Sequence, residues 1–537
     1  MNWHLFSRRS GKSLLAAIWI TMLATAAAGY AYLAFATPTV SPRTTVPEVE
    51  VPAIKAPATT EQVHEFCGKC HAYPPAESFP RFAWKKEVKQ GYDFFRDSNL
   101  QMDYPSVESV LQYYEQRAPE ELPPVVQETM PDPAPVRFER LGFHPPEQGP
   151  QPSVTNVNLV HLFDQRRLDV LVCQINPGRI QALSPYEKTP VWKDLAGPST
   201  AKRWAPAHAE VVDLDGDGIP DIIVANLGVF HPTDDQVGSV VWLKGQGGGK
   251  YTPITLLDKV GRVADVQAAD FNGDGKLDLI VGVFGWRNTG SIIYLENRTT
   301  DWSKPVFVPH EVDDRHGTIH VPVGDINGDG KPDFVALISQ EHEIVEAFLN
   351  KGDGTFEKQT IYKASHPAYG SSGIQLVDLN KDGKLDVLYT NGDVLDRPYL
   401  LKPYHSVQWL ENPGNGKFPF KHHHLTAMYG AMRAVAADFD GDGLLDVAAV
   451  SYLPGDAFPN REKLRLDAVV LLKQTEPGKF ARYSVDKVQC DHFTCAAGDI
   501  YGDGKIHLVA GNFSLSRAHP IPEMITVWKN LGSQPAK

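Results

Sequence analysis

One nonapeptide recurs along the chain at near-regular intervals. The copies are DLDGDGIPD, DFNGDGKLD, DINGDGKPD, DLNKDGKLD and DFDGDGLLD, beginning at Asp213, Asp270, Asp325, Asp378 and Asp438. A worn copy, DIYGDGKIH, begins at Asp499, and a more worn one, HLFDQRRLD, begins at His161 and keeps only Asp169 of the acidic set. Successive starts lie 52, 57, 55, 53, 60 and 61 residues apart. A unit of that size cannot bury its own apolar face, so it must stack on its neighbours as a propeller or solenoid. Around each acidic loop the chain reads as four strands. In the second unit they are the alternating HAEVVDLD, the short apolar run DIIVANL, then GSVVWLKG and YTPITLLD. Seven such units predict a mainly β fold, a seven-bladed β-propeller over residues 150–537.

The last unit ends before its fourth strand. Upstream, VRFERLGF at 136–143 has the pattern of a fourth strand. It is predicted to complete the last blade from within a linker at 123–149, removing the open edges that a linear array exposes.

The loops have a direct chemical reading. In D-x-[DN]-x-D-G-x-x-D, alternate oxygen-bearing side chains converge on one concavity and glycine permits the tight turn, which is a calcium-ligand spacing. The candidate ligands are Asp213, Asp215, Asp217 and Asp221; Asp270, Asn272, Asp274 and Asp278; Asp325, Asn327, Asp329 and Asp333; Asp378, Asn380, Asp382 and Asp386; and Asp438, Asp440, Asp442 and Asp446. About five Ca2+ are expected. The seventh unit places Tyr501 and His507 where oxygen ligands belong. On these motifs the chain resembles the FG-GAP (or VCBS) repeats of integrin α-subunits and of many exported bacterial proteins. The resemblance implies structural calcium loops on a propeller whose partners vary.

The segment FCGKCHAYPP carries a C-x-x-C-H motif at Cys67, Cys70 and His71. A redox dithiol would need a βαβ context, and a zinc site would need further nearby ligands; neither is present. Covalent haem uses all three residues, two thiols for the vinyl groups and a histidine for the iron. EQVHEFCGKCHAY, FAWKKEVKQGYDFFRD and PSVESVLQYYEQRAPEEL read as helices. Residues 61–122 therefore resemble a small all-α c-type cytochrome domain. In that family a methionine before the last helix is often the sixth ligand, and Met102 stands there. His64 is the alternative, but it lies on the same helix as the motif.

Arg8, Arg9 and Lys12 precede an apolar stretch to Ala36, so residues 1–37 read as a signal anchor or signal peptide. The length favours an anchor, and the basic flank would leave the rest outside the cytoplasm. Residues 38–60, rich in Pro, Thr and Val, read as a tether. With 52 Lys and Arg against 65 Asp and Glu, the net charge of −13 excludes general nucleic-acid binding.

Five residues before each loop lie Asn156, His208, Asp265, His320, Gly373, Arg433 and Thr494. In register they ring the axial mouth, where His208, Asp265, His320 and Arg433 are candidates for an anionic or sugar-like ligand, or a metal. Phe230, His231, Trp286, Arg287, His342, His405, His492 and His519 are expected to add to this mouth. His422–His424 alternate along an outer strand, which makes no three-ligand site. Cys173, Cys490 and Cys495 allow at most one disulfide, with Cys490–Cys495 and a bond to Cys173 both open. The sequence thus reads as an exported, membrane-tethered mono-haem cytochrome on a calcium propeller. It would face the periplasm or cell exterior and serve a redox partner protein or small-molecule substrate. An oxidoreductase with its site at the mouth, and a binding or adhesion module with a haem sensor, are the alternatives.

Overall fold

The computed structural model describes residues 58–98, 100–125, 129–130, 133–146, 151–514 and 520–533. The expected anchor over 1–37, the tether up to residue 57 and His519 lie outside them. Among the described residues no helix is long and apolar enough to cross a membrane.

The second strand of every repeat fixes the architecture. Asp169–Gln174, Asp221–Asn226, Asp278–Val283, Asp333–Ile338, Asp386–Thr390, Asp446–Ser451 and His507–Asn512 are buried along their whole length. Neighbouring blades cover both faces of each, so the strand is a continuous apolar run rather than an alternating one. Fourth strands such as Tyr251–Val260 and Phe356–Lys363 instead mix exposed and half-buried positions.

Seven antiparallel sheets result, in sequence order within each of the first six blades. In blade four the inner strand is broken into Thr318–His320 and Val323–Gly324, both pairing with Asp333–Ile338. The seventh blade joins the two ends of the ring. Val136–Phe143 pairs antiparallel with Ile525–Ser533, outermost in a sheet completed by His507–Asn512 and His492–Gly498. Arg140 of this closing strand donates to Glu523 at 3.2 Å and to Gln489 at 2.6 Å.

Seven apolar clusters lie between successive blades. One joins Leu171 and Ile180 of blade one to Ile222 and Val224 of blade two. The closing cluster joins Val154, Val157 and Val170 of blade one to Val509, Ile525 and Val527 of blade seven. The three remaining cysteines sit in three different clusters: Cys173 between blades one and two, Cys495 between six and seven, and Cys490 under the loops of the ring. All three are buried free thiols, which answers the open question of their pairing.

The N-terminal unit of the described chain is helical. Thr60–Cys67 starts on a capping box between Thr59 and Gln62, and Val107–Arg117 starts on the Ser106 hydroxyl. Trp84, first in the helix Trp84–Asp97, stacks on Tyr114 at 3.7 Å. This small core also takes in Ala368 and Leu400 of the propeller. Polar contacts complete the seam. Arg287 bonds Asp97 at 3.1 Å and lies over the Phe94 ring, the Tyr404 hydroxyl donates to Ser78 O at 3.3 Å, and Lys86 donates to Arg397 O. The helices therefore sit over loops that join second to third strands, away from the acidic loops.

Candidate functional site

Cys67 ends the first helix, and Gly68 caps it with its N–H on His64 O at 2.9 Å. The chain then turns, so Cys70 is exposed while Cys67 stays against the helical core. Burial pushes the Cys67 thiol up to about 11. Burial, then the charge of Glu341, also raises Cys70. Thiols of this kind are protonated near neutrality, unlike the thiolates of redox dithiols.

His71 has its Nδ1–H on Ala72 O at 2.8 Å. That bond assigns the lone pair to Nε2, the arrangement seen where an imidazole ligates through Nε2. The Tyr114 hydroxyl is buried beside Cys67 with no oxygen or nitrogen partner. Met102 packs against the same core. His64 packs against Tyr73 with ring centroids 3.8 Å apart and planes tilted by 37°, which engages the alternative ligand elsewhere. Two free thiols, one oriented imidazole and one core thioether make a donor set that fits a covalent haem.

In the acidic loops the first aspartate organises the turn. Asp213 accepts from the backbone N–H of Asp217 and Gly218; Asp270, Asp325, Asp378 and Asp499 repeat the pattern, and Asp438 accepts from the N–H of Gly441 and Gly443. The sixth residue, always glycine, takes φ between 76° and 92°. The ninth residue is a buried latch. Asp333 accepts from Ile326 N at 3.0 Å and Asn350 N at 2.7 Å, tying its loop to the third strand, and Asp221, Asp278, Asp386 and Asp446 do likewise. Each carboxylate oxygen so used keeps a second lone pair for a cation. Asp169 has the latch in blade one without the other ligands: it accepts from Leu162 N, Phe163 N and the Ser184 and Tyr186 hydroxyls. In blade seven His507 replaces the latch carboxylate. Its Nδ1 accepts from Asn530 N at 3.0 Å and its Nε2–H donates to Asp503 at 3.1 Å.

The five good loops are not equivalent, a difference the sequence reading missed. The loops of blades three, four and five hold Asn272, Asn327 and Asn380 at their third position. The two with aspartate there each receive a lysine from the third strand. Lys244 bonds Asp215 and lies 3.4 Å from Asp217; Lys473 lies 2.7 Å from Asp440 and 2.5 Å from Asp442. The extra carboxylate and the lysine come as a pair, so each of these loops carries its own partial counter-ion. The signal was in register in the sequence: third-strand positions 244, 296, 349, 411 and 473 read Lys, Glu, Leu, Glu and Lys.

The axial candidates do come together. Asp265 Oδ1 lies 3.3 Å from His208 Nε2, and its Oδ2 lies 3.7 Å from His320 Nδ1. Asp265 also accepts from Val321 N at 2.8 Å. Arg433 Nη1 donates to His320 Nε2 at 2.9 Å, and the Gln267 amide bonds His208 at 3.1 Å. Since His320 Nε2 accepts, its Nδ1–H faces Asp265. Burial alone would raise the Asp265 carboxyl, but His208 and His320 outweigh it and hold it well below the usual range. Burial, with Arg433 adding to it, lowers both histidines. Only 3% of the Asp265 side chain is exposed, against 14% for His208 and 25% for His320. The group thus lines the axial interior rather than an open rim. Glu210 joins it on the side of Asp265, with Oε2 buried and unpaired.

Several added neighbours lie elsewhere. His492 is fully buried, bonds Asn512 at 2.7 Å and packs edge-on to Trp528. His405 is fully buried and accepts from Gly430 N at 3.3 Å. Arg287 serves the seam with the helices. His422 and His423 bond Gln408 and Glu411 separately, as alternation requires.

A family profile described as FG-GAP-like repeat matches residues 213–281, 325–389 and 393–449. The propeller carries FG-GAP-like repeats. Cartilage acidic protein 1 of Homo sapiens is 26% identical over 222 residues, covering 40% of this chain and 32% of that protein. T-cell immunomodulatory protein homolog of Plasmodium yoelii yoelii is 26% identical over 218 residues, covering 35% of this chain and 30% of that protein. The chain spans about a third of the length of these curated relatives.

Proposed function

We propose that the protein is an exported, membrane-tethered mono-haem c-type cytochrome that passes electrons to or from a partner docked on its propeller. The observation that carries this reading is the oriented His71 next to two free thiols, one of them, Cys67, packed against a small aromatic core. A bound haem would supply one-electron chemistry. Cys67 and Cys70 would hold it covalently, His71 Nε2 would face the iron, and Met102 is the candidate on the other side. The stacked Trp84 and Tyr114 keep water from the Cys67 side, and the contacts of Arg287 and Tyr404 fix the helices on the ring.

Calcium in this reading is structural. Blades three, four and five offer three aspartates and an asparagine each, and their lysines, Lys276, Lys331 and Lys384, stand within the loop itself and pair only with the fifth-position aspartate. In blades two and six a calcium ion must displace Lys244 or Lys473, so those two loops bind it more weakly. The optical spectrum of haem-matured protein, oxidised and reduced, tests the first part. A low-spin spectrum whose methionine–iron charge-transfer band disappears in Met102→Ala supports it. Failure of wild type to retain haem after denaturation refutes it.

A second reading is favoured by the axial group. His208, Asp265, His320 and Arg433 would bind a small polar substrate whose oxidation feeds the haem. Haem reduction on adding such a substrate, lost in Arg433→Ala, distinguishes it from partner docking alone. A third, a binding module with a haem sensor, expects a ligand-labile iron indifferent to Met102.

A further inference from the structure

Two loops of different origin meet beside the cytochrome-like motif. His316 lies between the last strand of blade three and the first of blade four. Glu341 and His342 lie in the turn between Asp333–Ile338 and Ile344–Asn350. Ser339 binds the loops together, its N–H and hydroxyl both donating to Gly317 O at 2.9 Å. His316 Nε2 lies 3.0 Å from Glu341 Oε1 and 3.1 Å from Oε2. The His316 and His342 rings sit 5.1 Å apart, and one ligand atom from each of the three residues falls within 4.8 Å of the others.

Two further observations mark the place. His342 Nε2 is buried and has no hydrogen-bond partner, an arrangement that is costly unless something binds there. Gln340 and Glu343, which bracket the ligand pair, take left-handed φ of 57° and 44° though neither is glycine. Such strain persists where the surroundings impose a side-chain direction.

We propose that His316, Glu341 and His342 bind one divalent transition-metal ion of the borderline class, such as Zn2+. Two imidazoles and one carboxylate suit that class, and not the hard Ca2+ of the acidic loops. Three protein ligands leave a fourth tetrahedral position for water, as in open zinc sites. The ion takes the place of the proton now shared by His316 and Glu341, and gives the buried His342 nitrogen its partner. Arg315, the nearest cation in sequence, is committed to Asp313 and Glu346 and does not compete. Glu341 acts on Cys70 through its charge, so the metal would lie in the field of the haem motif. The proposal does not depend on haem being present.

The test is Zn2+ titration by calorimetry on the full chain, with calcium saturating. Wild type is expected to take up one equivalent with Kd of order 1 µM or below. His316→Ala with His342→Ala should weaken this at least ~100-fold, and Glu341→Gln ~10–100-fold, with melting curves checking that each variant folds. Co2+ in place of Zn2+ should give the visible bands of a four- or five-coordinate ion in wild type only. Cys67→Ser with Cys70→Ser should bind as wild type does. Absence of a Zn2+ equivalent in wild type overturns the proposal. So does unchanged binding in the histidine variant, or loss of binding in the cysteine variant, which would move the metal to the thiols.

Discussion

Replacing Lys473 by methionine separates two roles that one loop can have. The ammonium lies 2.7 Å from Asp440, 2.5 Å from Asp442 and 3.6 Å from Asp446. Lys473 and Asp440 are each 11% exposed and Asp446 is fully buried, while Asp442 is 41% exposed. The pairs with Asp440 and Asp446 therefore count nearly in full, and the pair with Asp442 is discounted for solvent screening. Removing one partner from a buried charge group costs about 3–5 kcal/mol, because the rest stay uncompensated. Methionine keeps most of the stem, so little of this is lost packing. We expect Lys473→Met to lose ~3 kcal/mol in chelator. A calcium ion then meets four carboxylates with no competing lysine. At a hundred times its Kd it returns about 2.7 kcal/mol, so the variant approaches wild type in calcium. The assay is denaturant unfolding in EGTA and in calcium, with calorimetric counting of bound ions. Wild type should bind three ions tightly and the variant four. An equal loss in both conditions with the same ion count would refute the reasoning.

Lys381 sits at the left-handed position, φ 59°, where every other good loop has glycine, so Lys381→Gly should stabilise by ~1 kcal/mol in thermal or urea unfolding. Burial, helped by Asp265, pushes Glu210 up to about 8. The folded state then holds a proton that the unfolded chain releases near pH 4.3, so stability should fall between about pH 4 and 8 by ~5 kcal/mol. Glu210→Gln should flatten that slope in urea midpoints measured at pH 5 and 8. Trp528 is buried in the cluster joining blades six and seven, and Trp528→Ala should cost ~3–5 kcal/mol and loosen ring closure, seen as faster amide exchange in Val136–Phe143.

Much of this molecule is local chemistry repeated. A loop of nine residues carries its own turn glycine, its first-position hydrogen bonds and its ninth-position latch, so each copy could be read where it stands. Strand alternation and apolar runs likewise act over a few residues, which made seven blades and the pattern of the closing strand legible. The axial group was legible for the same reason: His208, Asp265, His320 and Arg433 hold one register position in four blades. Ring curvature then decided that they touch, and that they point inward rather than to a rim. What sequence could not supply were contacts between segments with no common register. Cys173, Cys490 and Cys495 stay thiols because blade packing sends them to three separate cores. Lys244 and Lys473 reach their loops across a sheet. His316 meets Glu341 and His342 only because two loops of adjacent blades turn toward each other beneath the helices. Backbone propensity has a range of a few residues, whereas these meetings are fixed by how seven sheets share one axis.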